Sequence, residues 1–494
     1  MAILAFDVGT SSVKTTLVGN GGRIIDSASR GYETVSPWQA WAEQDPLAWF
    51  DRVAETAREL LARNEPYRGE ILCVGVCGHM LGLLPVDAAG APLRPSMIHA
   101  DSRASEQADF ILNNVISRQA LYAATGSVLN PQSPLCKALW LKQNEPEVYA
   151  KTARFLHTKD YIVSRLTGNI DVTDFSDASH SVYIDIHKKE YLYDIFAELG
   201  LDKAKFPAIY KGVDVAGALT AEAARILGLK SGVPVIAGGG DGACANTGVG
   251  ISAAGGGAYI NLGTTAWISM NSLTPVIDGK ARIFDIMALD GETFGVFGTM
   301  QAAGKCVAWL SDLLSVGGMD TYKALAAEAP PCSDGLLFLP YLEGERAPIF
   351  DSSARGVFFG INPGHTRAHF CRSVLEGVAF ALRSIADVFG ETGPAGAIGE
   401  MRVIGGGASN ELWMRIISDV CGVSLETGKD SDSITSLGVA LAAAVGAGIF
   451  KTLDEAAQSV AAEGRITPDA SRRPAYDAMY AKFLRLYPQI KDLF

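Results

Sequence analysis

The chain has 494 residues, of which 48% are hydrophobic and 19% charged, with a formal net charge of -12. This is enough apolar material for two large domains or three small ones, and too much for a disordered chain. No basic run relieves the acidic balance, which argues against a nucleic-acid partner and requires any polyanionic ligand to be held locally, by backbone amides, a metal ion or single basic side chains.

The opening reads as three strands. Ala2–Phe6 is an apolar run, Asp7-Val8-Gly9-Thr10-Ser11-Ser12 a turn-forming polar patch, and Val13–Val18 a second β-rich run. A hairpin signal at Gly19-Asn20-Gly21-Gly22 leads into Arg23–Ala28. The N-terminus has no basic n-region and no long apolar core, so no signal peptide is expected. Helical stretches then alternate with strands, the pattern of an α/β protein.

The eight cysteines are scattered, with no CxxC pair and no Cys/His cluster, so the expectation is reduced thiols in a cytoplasmic protein. The run Ile434 to Phe450 is uncharged but Ala- and Gly-rich, and it falls short of the ~18–20 apolar residues of a membrane span. It reads as a buried helix, and no membrane association is expected.

A second strand–turn–strand occurs at Ala258–Leu262, Gly263-Thr264-Thr265 and Ala266–Met270. Two copies, each early in its own half, suggest two lobes on one plan, residues 1–245 and 246–494, with the Gly238–Gly240 run available as a hinge. A tight turn of Gly, Thr and Ser can aim amides and hydroxyls at phosphate oxygens. Asp7 offers a hard oxygen donor for Mg²⁺ beside such a turn, and Lys14 follows within reach of a phosphate. Each turn taken alone is equally an ordinary hairpin. Gly304-Lys305 lacks the upstream glycine of a Walker A and is rejected as a P-loop.

In Val233–Gly242 a buried strand runs into Gly238-Gly239-Gly240-Asp241-Gly242, and glycines on both sides of the aspartate are expected to clear side-chain bulk so that another molecule can approach its carboxylate. A lone carboxylate there can accept the proton of an attacking hydroxyl, or can simply cap the following helix. Met401–Asn410 reads as a strand entering a glycine-rich turn, with a helix over Glu411–Val420. It fits a nucleotide lying against backbone, or close strand–helix packing.

Taken together, these segments resemble the FGGY carbohydrate kinases, and within them the xylulokinases. The resemblance is carried by Phe6–Lys14, Ala42-Glu43-Gln44-Asp45-Pro46, Gly238–Asp241, Asn261-Leu262-Gly263-Thr264, Phe338–Pro348 and Ile404–Ala408. It implies two ribonuclease-H-like lobes of the actin-like ATPase fold around a central cleft, with sugar mainly on the N-terminal lobe and ATP mainly on the C-terminal one. It implies ATP and Mg²⁺ as cofactors, a small sugar as substrate, and transfer of phosphate to a hydroxyl of a ketopentose such as D-xylulose. A homodimer is compatible with it.

By position it makes Asp241 the catalytic base and Asp7 the metal-side carboxylate. Thr10, Ser11, Lys14, Gly263, Thr264, Thr265, Gly304, Gly405, Gly406, Gly407, Ala408 and Asn410 fall to ATP. His79, Met80, His99, Asp101, Arg103 and Asp241 fall to the sugar. The sugar pocket departs from the xylulokinase pattern at His79-Met80-Leu81, at His99-Ala100 and at Gly242. Another ketose, an alditol or a sugar acid therefore stands as the alternative substrate, and a sugar sensor as the non-enzymatic one. Asp101 and Arg103 can also form a structural ion pair, His79 or His99 can be a core histidine, and Trp38 and Trp41 can flank the sugar or merely pack.

Overall fold

The computed structural model describes residues 1–19, 21–251, 257–392, 398–428 and 433–494; Asn20 of the predicted hairpin lies outside them. The chain forms two compact α/β units. One comprises Met1–Gly255, Asn271–Gly295 and Asp432–Val460, the other Gly256–Met270, Val296–Ser431 and Ala461–Phe494.

The sheet of the first unit is built from β1 (Ala2–Val8), β2 (Ser12–Gly19), β3 (Ile24–Gly31), β4 (Ile71–Gly78), β5 (Val215–Ala218), β6 (Pro234–Ile236) and β7 (Gly239–Gly240). Their order is β5-β6-β4-β1-β2-β3, with β7 beside β4. β1, β4, β6 and β7 are parallel, whereas β2 and β3 return as hairpins.

Side chains alternate across a strand, so β1 and β4 are divided between two faces. Leu4, Phe6, Val8, Val74 and Val76 enter one core with Trp49, Val53, Leu60 and Tyr161. Trp49, Val53 and Leu60 belong to the helix Pro46–Arg63, whose apolar residues recur every three or four positions. Pro46 starts it, and Asp45 caps it by accepting from the Leu47 N–H at 2.9 Å. Burying each large side chain of that face contributes about 1.5–3 kcal/mol.

The alternate residues Ile3, Ala5, Asp7, Cys73, Gly75 and Cys77 point to the opposite face. There the helix Ile434–Gly446 lies so close that a Cβ on Gly75 would sit 2.7 Å from the Val439 carbonyl oxygen. This is the buried helix expected from its composition. It crosses the helix Asp241–Val249 backbone to backbone. A Cβ on Gly438 would come within 1.8 Å of the Cys244 oxygen, and one on Gly248 within 1.9 Å of the Ile434 oxygen, so only glycine permits the crossing.

In the second unit β8 (Ala258–Leu262), β9 (Ala266–Ser272), β10 (Phe294–Met300), β11 (Glu400–Ile404), β12 (Ser424–Thr427) and β13 (Gly464–Ile466) lie in the order β10-β9-β8-β11-β12-β13. The expected helix after the glycine-rich turn runs Glu411–Cys421. Asn410 caps it through Trp413 N–H at 3.2 Å, and Gly422 ends it at φ 70°.

Candidate active site

Open α/β sheets present their ligand sites at the carboxyl ends of parallel strands. At that end of the first unit the register aligns Lys14 with Asp7, Asp7 with Cys77 and Cys77 with Gly239. One residue beyond β7 stands Asp241. It is the first residue of its helix, not the cap: Gly240 takes the capping position, and an Asp241 oxygen accepts from the adjacent Gly242 N–H at 2.8 Å.

Asp241 and Asp7 are partly open to solvent yet set deep in protein. Burial, reinforced by the charge of Asp7, pushes the Asp241 carboxyl up to about 7, against the Gly242 hydrogen bond. Burial likewise raises Asp7 to about 6, against a hydrogen bond from the Cys77 thiol and the charge of Lys14. A carboxylate titrating near neutrality can take a proton and release it.

The glycines before Asp241 serve the protein's own packing rather than clearing an approach. A Cβ on Gly238 would fall 1.8 Å from the Val76 oxygen, one on Gly239 2.1 Å from Leu289, and one on Gly240 2.5 Å from the Met80 side chain. Gly238, at φ 71°, also needs the left-handed region. Met80 thereby lies directly against the segment that bears Asp241.

The turn Gly9-Thr10-Ser11 is gripped through its carbonyls. Gln44 Nε2 donates to the Thr10 oxygen at 2.7 Å, Tyr32 N–H to the Ser11 oxygen at 3.1 Å, and Tyr32 hydroxyl to the Gly9 oxygen. The side chains of Thr10 and Ser11 are left at the surface.

Of the residues assigned to the sugar, His79 and His99 meet at 5.8 Å between ring centroids. His79 is only 2% exposed, 3.2 Å from Thr158 Oγ1 and edge-on to Trp49, and burial depresses it to about 3, so the ring is neutral. His99 keeps partial access to solvent.

Asp101 and Arg103 form a buried pair. Arg103 Nε lies 2.9 and 3.0 Å from the two Asp101 oxygens, and Ala42 N–H donates to the same carboxylate at 2.8 Å. Arg103 also reaches Glu43 at 2.6 Å and rests 3.4 Å over the Trp41 ring. Asp101 is thus spent on protein contacts, and Arg103 Nη1 has no hydrogen-bond partner among the described residues. Trp41 packs in this network, while Trp38 is 69% exposed.

In the second unit the turn Gly263-Thr264-Thr265 is bound by the start of the helix Gly304–Leu313. Ala303, Gly304 and Lys305 N–H groups donate to the oxygens of Thr264, Gly263 and Thr264 at 2.9, 2.9 and 3.1 Å. A Cβ on Gly304 would lie 2.6 Å from the Gly263 oxygen, which accounts for that glycine.

Gly405, at φ 88°, and Gly407 press on Asn261 and Leu262, immediately before the turn. Among the described residues, Gly406 meets no atom within 4 Å at its Cβ position, and Asn410 keeps a buried Nδ2 without a hydrogen-bond partner. The two glycine-rich elements assigned to ATP on this side therefore converge at the end of β8.

Two sets of residues escaped the sequence reading. Lys137 is fully buried, and its Nζ donates at 2.8 Å to both the Leu81 and Ile98 carbonyls, tying the His79 and His99 segments together; burial lowers it to about 7. A lysine inside the apolar run Pro134–Leu141 of the helix Pro134–Asn144 was the available signal. Lys159 with Asp160, Asp174 and Asp177 forms a second buried cluster. Its members are close in sequence, but nothing in their spacing announces burial.

Residues 2–248 match the N-terminal domain of the FGGY family of carbohydrate kinases and residues 258–447 its C-terminal domain. The xylulose kinase of Escherichia coli K12 is 30% identical over 490 residues, 99% of each chain. A solved xylulose kinase from Rhodospirillum rubrum is 30% identical with a TM-score of 0.90, covering 100% of this chain and 99% of that one. A solved gluconate kinase from Lactobacillus acidophilus is 26% identical with a TM-score of 0.92, covering 99% and 98%. With both domains matched in order along nearly its whole length, and with the two-domain α/β fold of these kinases, the chain belongs to the FGGY family of carbohydrate kinases.

Proposed function

We propose that this sugar kinase transfers the γ-phosphoryl group of ATP to a primary hydroxyl of a ketopentose, with D-xylulose as first candidate. Residues 1–245 chiefly hold the sugar and residues 246–494 chiefly hold ATP. One observation carries the reading: Asp241, at the carboxyl end of the parallel strands and beside Asp7, is raised to about 7 while still open to solvent. In that state it accepts the proton as the sugar oxygen attacks phosphorus.

Thr10, Ser11 and Lys14 of the first unit, and Gly263, Thr264 and Thr265 of the second, offer amides, hydroxyls and one cation to phosphates. Gly405 to Ala408 offer backbone for the adenosine, and Asn410 a free amide nitrogen. His99 contacts the sugar with neutral His79 behind it, and Asp101 orients Arg103. Asp7 suits Mg²⁺, a hard cation that keeps several waters and needs few protein oxygens. Bound there, the ion would offset negative charge on the phosphates. Eight unpaired cysteines support a reducing, cytoplasmic setting.

A sugar acid is the second reading, favoured by Lys137, His79 and His99 lying in contiguous segments. The test is coupled ADP release with Mg-ATP against ketoses, aldoses, alditols and sugar acids. Turnover is expected to be highest with D-xylulose. Higher turnover with a sugar acid would replace it, and no turnover with any of these compounds would overturn the proposal.

A further inference from the structure

Beneath the base lies a chain of buried polar contacts that phosphoryl transfer itself does not use. The Gly240 N–H donates to Ser176 Oγ at 2.9 Å. Ser176 Oγ donates in turn to Asp174 Oδ2 at 2.5 Å, and Asp174 Oδ1 lies 3.0 Å from Lys159 Nζ. Lys159 also pairs with Asp160 and stands 3.5 Å from Asp177. All five of these side chains are buried.

Three carboxylates around one ammonium, out of water, are a costly way to fill space; apolar side chains of similar volume would serve stability as well or better. Where such a cluster exists, the position it imposes is its product. The helix that bears Lys159, Thr158–Thr167, places Thr158 against His79 and Lys159 beneath Asp174. Its first turn therefore touches both the sugar-side histidine and the support of the base.

The tether acts where the backbone is least constrained. Gly239 and Gly240 have no side chains to hold their torsions. Pairing with β4, contacts with Leu289 and Met80, and the Ser176 hydroxyl restrain them. The next residue is Asp241.

We propose that Ser176 is a positioning residue for phosphoryl transfer: its hydroxyl, oriented by Asp174 and Lys159, fixes the Gly240 amide and so places the Asp241 carboxylate. The inference rests on the assignment of Asp241 as base. Misplacing a reacting group by about 1 Å can cost roughly 10²-fold in rate, and a lost tether should displace it by less.

Ser176→Ala should therefore lower kcat about 10-fold. The KM for ATP, and sugar affinity measured without nucleotide, should stay within about twofold. Ser176→Cys, close in size but a weaker acceptor, should fall between the two. A Ser176→Ala kcat within twofold of the parent overturns the proposal, and so does an equal loss in kcat, KM and sugar affinity. If Ser176→Ala does not fold, Ser176→Cys decides, and an unchanged kcat overturns it. Asp241→Ala measured alongside separates the two claims. Full turnover there sinks the base assignment, whereas loss there with an unaffected Ser176→Ala sinks only the tether.

Discussion

The two strand–turn–strand openings share a backbone plan and differ in charge. In the first unit the sequence is Phe6-Asp7-Val8-Gly9-Thr10, and in the second Ile260-Asn261-Leu262-Gly263-Thr264. Each leading strand pairs antiparallel with its return strand, and parallel with a strand that runs into glycine: Asp7 beside Cys77 before Gly78, and Asn261 beside Ile404 before Gly405. Asn261 stands where Asp7 stands. The first turn therefore carries a carboxylate next to a second one, Asp241, and the second turn carries a neutral amide packed against Gly405. One scaffold used twice carries different charge: on the proposed reading both turns face phosphate, and only the first adds carboxylates for metal and proton chemistry.

This contrast can be broken from either end. Asp241→Ala should lower turnover by about 10²–10⁴ if the carboxylate is the base; sugar-dependent ADP release is the check, and unchanged release removes the role. Asp7→Asn makes the first turn resemble the second. It should cost on the order of 10²-fold and raise the Mg²⁺ concentration needed for half-maximal rate. A rate loss with unaltered Mg²⁺ dependence would leave Asp7 without its metal.

Acidity tests the carboxylate pair without mutation. Because the raised Asp241 takes up a proton as pH falls, kcat should decline below about pH 7. Its folded value lies above the unfolded one, so the group favours folding most at low pH, and that contribution is lost as pH rises from about 4 through about 7. Asp241→Asn should accordingly be inactive yet more stable than the parent at pH 8, by roughly 1–3 kcal/mol, with little difference at pH 4. Thermal unfolding at both values reads this directly, and equal Tm differences at the two would contradict it. The smallest effect is expected at the second turn: Thr264→Val should raise the KM for ATP about 10-fold, the scale of one hydrogen bond. Sugar binding without nucleotide should not change, and weakened sugar binding would move Thr264 out of the phosphate group.

Much of the candidate site was legible because its parts are local. Asp7, the two Gly-Thr turns and the Gly405–Ala408 turn each sit where a strand gives way to a polar, glycine-rich segment, and such punctuation survives in one dimension. Asp241 was legible as a candidate, but its raised pKa was not. That depends on the helix Ile434–Gly446, far along the chain, crossing at Gly248 and Gly438 and drying the face on which Asp7 and Cys77 lie. The reason for the glycines at 238 to 240 was misread for the same cause: their crowding partners, Val76, Leu289 and Met80, are distant in sequence.

The amino-acid order alone determined the alternation of strands and helices, the doubling of the hairpin and the likeness to a kinase family, because these are set by periodicity and short motifs. A boundary near residue 245 divides the sequence in two; in space the first unit also takes in residues 271 to 295 and 432 to 460. Tertiary structure alone decided which polar residues are buried together, among them Lys137 between two histidine segments and Lys159 among three aspartates. Burial turns on what packs above a residue, and the residues above these come from elsewhere in the chain.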